Sequence, residues 1–161
     1  MSLKIDRRRA VIALLSALAA PVLAQSPLAS TEVEVYKSPT CGCCNDWIKH
    51  LQANGFRVNA TNVPDSRHYR ARFGMPHKLG SCHTALVAGY VIEGHVPARE
   101  IKRLLRERPK ALGLSVPGMP VGSPGMDGPE YGGHVDPYDV LLVQADGRAS
   151  VFASYEPDLR R

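Results

Sequence analysis

Three cysteines packed into four residues, between a strand pattern and a helix pattern, constrain this chain more than any other feature. The stretch reads Ser38-Pro39-Thr40-Cys41-Gly42-Cys43-Cys44-Asn45-Asp46-Trp47. Ahead of it, Glu32-Val33-Glu34-Val35-Tyr36 alternates polar and apolar side chains, the period of a half-buried strand. Behind it, Trp47, Ile48 and Leu51 recur at helical spacing. That predicts a helix from Cys43 or Cys44 to Ala53, closed at Asn54-Gly55 by a residue free to turn left-handed. Backbone N–H groups at a helix start favour negative charge and lower the pKa of a thiol. The fold must therefore seat a sulfur-rich turn at the edge of its core.

The remaining pattern is regular. Phe56 to Ala60 reads as a second strand, and Pro64-Asp65 opens a short helix to about Phe73, stopped by Gly74. A loop over 75–81 leads to Cys82. Thr84 to Val87 and Tyr90 to Glu93 are strands turned at Gly89. Pro97 suits the start of a third helix with Ile101, Leu104 and Leu105 on its apolar face, and Pro109 stops it. Residues 109–137 are rich in Gly and Pro and carry Met119, Met126 and His134, which predicts an ordered loop laid over the domain or a flap. Tyr138 to Gln144 and Arg148 to Ala153 form strand candidates joined at Asp146-Gly147, a strong hairpin signal. The expected class is α/β, with a mixed β-sheet, flanking helices and a C-terminal β-hairpin extending the sheet. The element order resembles a thioredoxin-like fold.

The first residues read as export information. Lys4, Arg7, Arg8 and Arg9 precede an apolar stretch from Ala10 to Ala20, and Val22-Leu23-Ala24 resembles a cleavage site before Gln25. The expected organisation is a signal peptide at 1–24, a lead-in at 25–31, one domain at 32–155 and a polar tail at 156–161. The apolar stretch is too short for a confident membrane span, and the expected location is the periplasm. The chain carries +5 overall. Four of its twenty basic residues and one of its fifteen acidic ones lie in the leader, so the mature chain carries +2. That modest charge gives no reason to expect nucleic acid.

Outside the cytoplasm, four cysteines could form two disulfides. Their clustering argues otherwise, because at most one local bridge and one bridge to Cys82 could form, and a Cys43–Cys44 bridge would be strained. Cys41 and Cys44 have the spacing of a redox dithiol. Cys43 adds a third sulfur, and Cys82 sits in the loop that would cross beside the turn. Four sulfurs at a helix start make a soft-ligand site suited to copper(I), with silver and zinc the weaker candidates. Copper(I) tolerates bridging thiolates, so more than one ion could share the four sulfurs.

Several blocks resemble the DUF411 family. They are Cys41-Gly42-Cys43-Cys44 with Trp47, Ser81-Cys82-His83-Thr84-Ala85, Glu93-Gly94-His95-Val96-Pro97-Ala98, and the run from Gly113-Leu114 through Val116-Pro117-Gly118-Met119-Pro120 to Gly122-Ser123-Pro124-Gly125-Met126. The resemblance spans about residues 32–153. It implies a periplasmic copper-resistance protein with a thioredoxin-like domain and a cysteine-bridged, multinuclear copper site on Cys41, Cys43, Cys44 and Cys82. Nothing resembles a ribbon-helix-helix DNA-binding domain.

Further ligands or supporting groups are expected among His83, His95, Met119, Met126 and His134. Each also has a plain packing reading, and thioethers fill irregular gaps as readily as they bind copper. His50 and His68 lie on helices and read as surface or packing residues. The leading function is copper handling with a copper donor, acceptor or redox partner. The alternative is a thiol-disulfide oxidoreductase with Cys41 as nucleophile and Cys44 as resolving cysteine. The residues leave open whether the chain is an enzyme.

Overall fold

The computed structural model describes residues 31–157. The expected signal peptide, all but the last residue of the lead-in and residues 158–161 of the tail lie outside that range. Among the described residues, no helix is long and apolar enough to cross a membrane.

Strands β1 (Glu32–Lys37) and β2 (Arg57–Asn62) run parallel and are joined by helix α1 (Gly42–Ala53). Helix α2 (Ser66–Arg72) follows, started by the Asp65 carboxylate, which accepts from the Arg67 N–H. A single 3-10 turn at His77–Leu79 leads to β3 (His83–Val87), β4 (Tyr90–Glu93) and α3 (Ala98–Glu107). Strands β5 (Gly113–Ser115), β6 (Tyr138–Val143) and β7 (Ala149–Tyr155) bring the strands among the described residues to seven. All seven strands form one mixed sheet in the order β2-β1-β3-β4-β5-β6-β7. This mixed α/β architecture is the expected class, and its first half is compatible with the thioredoxin-like plan.

The register of β1 against β3 places the site. Tyr36 lies opposite Thr84 and Lys37 opposite His83, antiparallel. The end of β1, which leads into Cys41, therefore sits beside the start of β3, which follows Cys82. Helix α1 packs on the sheet through Cys44, Trp47 and Leu51, spaced three and four residues apart so that they share one face. Each fully buried large side chain of this kind stabilises by about 1.5–3 kcal/mol. Ile101 and Leu104 of α3 join the same core with Val33, Val35, Ile92 and Leu114.

One difference from the sequence reading matters. Residues 109–137 are not loop throughout, because Gly113–Ser115 pairs parallel with β4 and antiparallel with β6. Three residues show no alternation to read. Gly113 is required there, since a Cβ would meet the Val91 carbonyl oxygen at 1.7 Å. This short strand carries the sheet across to the C-terminal hairpin, where Gly147 turns at φ +82.

Candidate metal centre

The first wall of the site is the start of α1. Cys41 occupies the N-cap position, and no side chain caps the helix. Sulfur thus stands where an oxygen acceptor would ordinarily meet the free N–H groups. Cys41 and Cys44 are joined by a disulfide, and their Cα atoms are 5.4 Å apart. Cys43 and Cys82 are free. The Cys43 sulfur lies 3.5 Å from that of Cys41.

The second wall is the turn into β3. The Cys82 sulfur lies 3.5 Å from the Cys44 sulfur, across 38 residues of sequence. All four sulfurs lie within 4.8 Å of one another. Cys82 also meets two imidazoles, with His83 Nδ1 at 3.3 Å and His95 Nε2 at 3.1 Å. Burial pushes the Cys82 thiol up to about 12, Cys43 adds to the rise, and the Ser81 hydroxyl opposes it. At neutral pH Cys82 is a thiol. Metal binding there must displace a proton.

Both histidines are fully buried. Burial holds His83 well below the ordinary imidazolium range, His95 adds to this, and the Gly94 backbone pulls the other way. His95 is lowered by burial too, against the Pro124 carbonyl and Asp127. Both rings are therefore neutral near pH 7, the form that ligates metals. The ring of His83 packs 4.3 Å from that of Trp47, whose indole N–H donates to the Val96 carbonyl at 2.9 Å. This donor set of sulfur and imidazole fits copper in chemistry.

A buried ion pair fixes the second wall. The Arg70 guanidinium donates to Glu93 at 2.8 Å. Glu93 accepts from the Ser81 N–H and from the Thr84 hydroxyl, each at 2.7 Å, and Arg70 also donates to the Ser81 carbonyl. The peptide groups around Cys82 are thus gripped from one side. Burial raises the Glu93 pKa, opposed by Thr84, Ser81 and Arg70. Arg70 fills the space beside Gly80, where a Cβ would lie 2.6 Å from the guanidinium.

The Gly- and Pro-rich segment is an ordered strap over both walls. The Gly118 N–H donates to the Gly80 carbonyl at 3.0 Å, and the Ser81 hydroxyl donates to the Gly118 carbonyl. The Pro124 carbonyl lies 2.8 Å from His95 Nδ1. Gly125 (φ +84) runs so close to α1 that a Cβ would sit 2.6 Å from both the Cys43 carbonyl and the Trp47 nitrogen. Met126 is buried in the strap, its sulfur accepting from the Tyr131 hydroxyl at 3.4 Å. Met119 is half-exposed. His134 is also on the surface, paired with Asp136 at 2.9 Å. Of the expected residues, the structure gathers Cys41, Cys43, Cys44, Cys82, His83 and His95, and leaves Met119 and His134 at the surface. His50 has a packing role, accepting the Ala98 N–H at 3.0 Å at the start of α3.

The residues that sequence reasoning missed are Arg70 and the buried role of Glu93. A carboxylate closing an apolar strand was the available signal. A surface cavity of about 720 Å³ lies elsewhere, at the β3–β4 turn, and is lined by neither cysteine nor histidine.

A family model described as a protein of unknown function, DUF411, matches residues 79–126, the segment that carries Cys82, His83, His95 and most of the strap. The solved structure of copper resistance protein copG, form 2, is 46% identical, with a TM-score of 0.73, covering 79% of this chain and 99% of that one. The chain belongs to the DUF411 family. Form 1 of the same copper resistance protein agrees, at 47% identity and a TM-score of 0.72 over 78% of this chain and 98% of that one. No curated protein sequence matches. The matched DUF411 segment supplies the second wall apart from Arg70, while the three clustered cysteines lie outside it.

Proposed function

We propose that this DUF411 protein handles copper(I) in the periplasm, holding more than one ion on Cys41, Cys43, Cys44 and Cys82. The observation that carries the reading is the meeting of four sulfurs within 4.8 Å, from two segments that the fold brings together. The copper resistance proteins to which the chain is similar support the choice of metal. Soft thiolates favour copper(I) over harder ions, and zinc or silver are the weaker candidates.

The four-thiolate form requires the Cys41–Cys44 bridge to open. Two electrons and two protons convert the disulfide to two thiols, and a dithiol partner is a suitable reductant. Copper(I) then displaces the thiol protons. Redox state thus sets how many sulfurs are offered, which gives copper handling a redox side. A copper donor or acceptor is the expected partner.

A second reading has one observation in its favour, the disulfide between Cys41 and Cys44 itself. In that reading Cys41 exchanges disulfides and Cys44 resolves them. One experiment separates the two. The mature chain is fully reduced without oxygen, loaded with copper(I), passed over a weak chelating column and measured for copper per chain. More than one retained ion, reduced by Cys43→Ser and by Cys82→Ser, is expected. No retained copper overturns the copper reading, and disulfide exchange that survives both substitutions establishes the alternative.

A further inference from the structure

On the copper reading proposed above, on which this inference rests, the form with the Cys41–Cys44 bridge withholds two of the four sulfurs, yet the second wall is complete. Cys82 is a free thiol. Its sulfur, His83 Nδ1 and His95 Nε2 converge within 4.8 Å of one another. We infer that Cys82, His83 and His95 form a separate mononuclear copper site that persists when the cysteine cluster is oxidised. A sulfur with two imidazoles is a donor set that copper accepts in trigonal geometry, in either oxidation state.

Three further observations support it. His95 is oriented as metal-bound histidines are: its Nδ1 lies 2.8 Å from the Pro124 carbonyl, so that nitrogen carries the proton and Nε2 turns a lone pair towards Cys82. His83 Nε2 is the one buried side-chain nitrogen or oxygen among the described residues that lacks a hydrogen-bond partner. The opposite nitrogen, Nδ1, faces the Cys82 sulfur, so no competing partner turns the ring away from that contact. Finally, most of the groups that hold the three donors lie off the helix that carries the disulfide. Glu93 and Arg70 grip Ser81, the strap carbonyl grips His95, and Trp47 packs on His83.

Binding here needs no electron transfer. Copper(I) enters as the Cys82 proton leaves, and the disulfide is unchanged. The site shares Cys82 with the proposed cluster, so opening the bridge adds sulfurs beside an ion already held. The protein would then exchange between a low copper capacity when oxidised and a higher one when reduced.

The test uses the mature chain with its bridge intact, confirmed by mass after alkylation of Cys43 and Cys82 in a separate aliquot. One equivalent of copper(I) is added without oxygen. A single copper delivers at most one electron and so cannot by itself reduce a disulfide, and the bridge is checked again by mass. Retained copper is measured, and X-ray absorption reads its ligands. The expected result is one ion per chain with both nitrogen and sulfur neighbours. Cys82→Ser should abolish it, and His95→Gln should weaken retention roughly tenfold or more. The reduced His95→Gln chain should still take up copper through its cysteines, which also shows that it folds. Failure of the disulfide form to retain copper, or a shell of sulfur alone, overturns the site. If the disulfide form binds one ion while the reduced chain binds no more, the cluster proposal fails and this site stands.

Discussion

The two walls of the site are built by opposite means. At the start of α1, three cysteines come from four consecutive residues, and a single helix turn places them. At the start of β3, one cysteine is placed by Arg70, Glu93, Ser81, Thr84 and the strap, drawn from distant parts of the chain. The first wall concentrates reactive groups and asks little of the fold. The second supplies fewer sulfurs and depends on buried polar groups that are costly to disturb. Soft-metal chemistry needs both, since the helix alone offers sulfurs from one side.

The comparison predicts unequal responses to equal chemical insults. Arg70→Met leaves the fully buried Glu93 without its cation and should cost about 3–5 kcal/mol. Lys49→Ala removes the exposed partner of Asp46 on α1 and should leave stability essentially unchanged. Urea unfolding of the two variants checks this, and similar shifts would mean that the ion pair does not hold the second wall.

The contact between the walls can be broken from the strap. Gly125→Ala forces a Cβ into the α1 backbone at positive φ and should destabilise by about 1–3 kcal/mol. Gly42→Ala, in the first turn of α1, meets nothing within 4 Å. It should be neutral, or stabilise by up to about 1 kcal/mol through helix propensity. Thermal unfolding distinguishes them, and a harmless Gly125→Ala would show the strap to be loosely laid.

Acid should act on the second wall. Burial holds both His83 and His95 below the ordinary histidine range near pH 6.5, so below about that pH the unfolded chain binds more protons than the folded one. Stability is therefore intact above about pH 6.5 and falls as pH drops through it, by up to about 1.4 kcal/mol per pH unit for each histidine. Denaturation of the metal-free chain at about pH 7.5 and about pH 5.5 measures the fall. His83→Asn should flatten it, and an unchanged slope in that variant would remove His83 from the explanation.

Thiol reactivity gives the smallest perturbation. Cys82, pushed up to about 12, should be alkylated more slowly than Cys43 at neutral pH in the disulfide form. Its rate should rise about tenfold per pH unit as thiolate forms. Peptide-resolved labelling reads both sites in one sample. Equal rates at neutral pH would contradict the buried environment of the second wall.

The same contrast explains what could be read from the sequence. The order of helices and strands was legible because hydrophobic period, Gly55, Pro109 and Asp146-Gly147 act locally. The first wall was legible for the same reason. Cys82 could be assigned to the facing loop, and His83 followed from adjacency. The grip of Glu93 and Arg70 was not legible, because 23 residues and two elements separate a pair that no local pattern links. Strand β5 escaped because three residues carry no period. The anchoring of His95 on Pro124 depends on the path of the strap, which only tertiary packing sets.

The most direct measurement asks whether the two walls hold copper together. The mature chain is fully reduced without oxygen, titrated with copper(I) and pulsed with an alkylating agent, and each cysteine is then quantified by peptide mass spectrometry. A shared site predicts that Cys41, Cys43, Cys44 and Cys82 become protected together as copper is added. Protection of the three helix cysteines while Cys82 reacts as fast as in the metal-free reduced chain would contradict it.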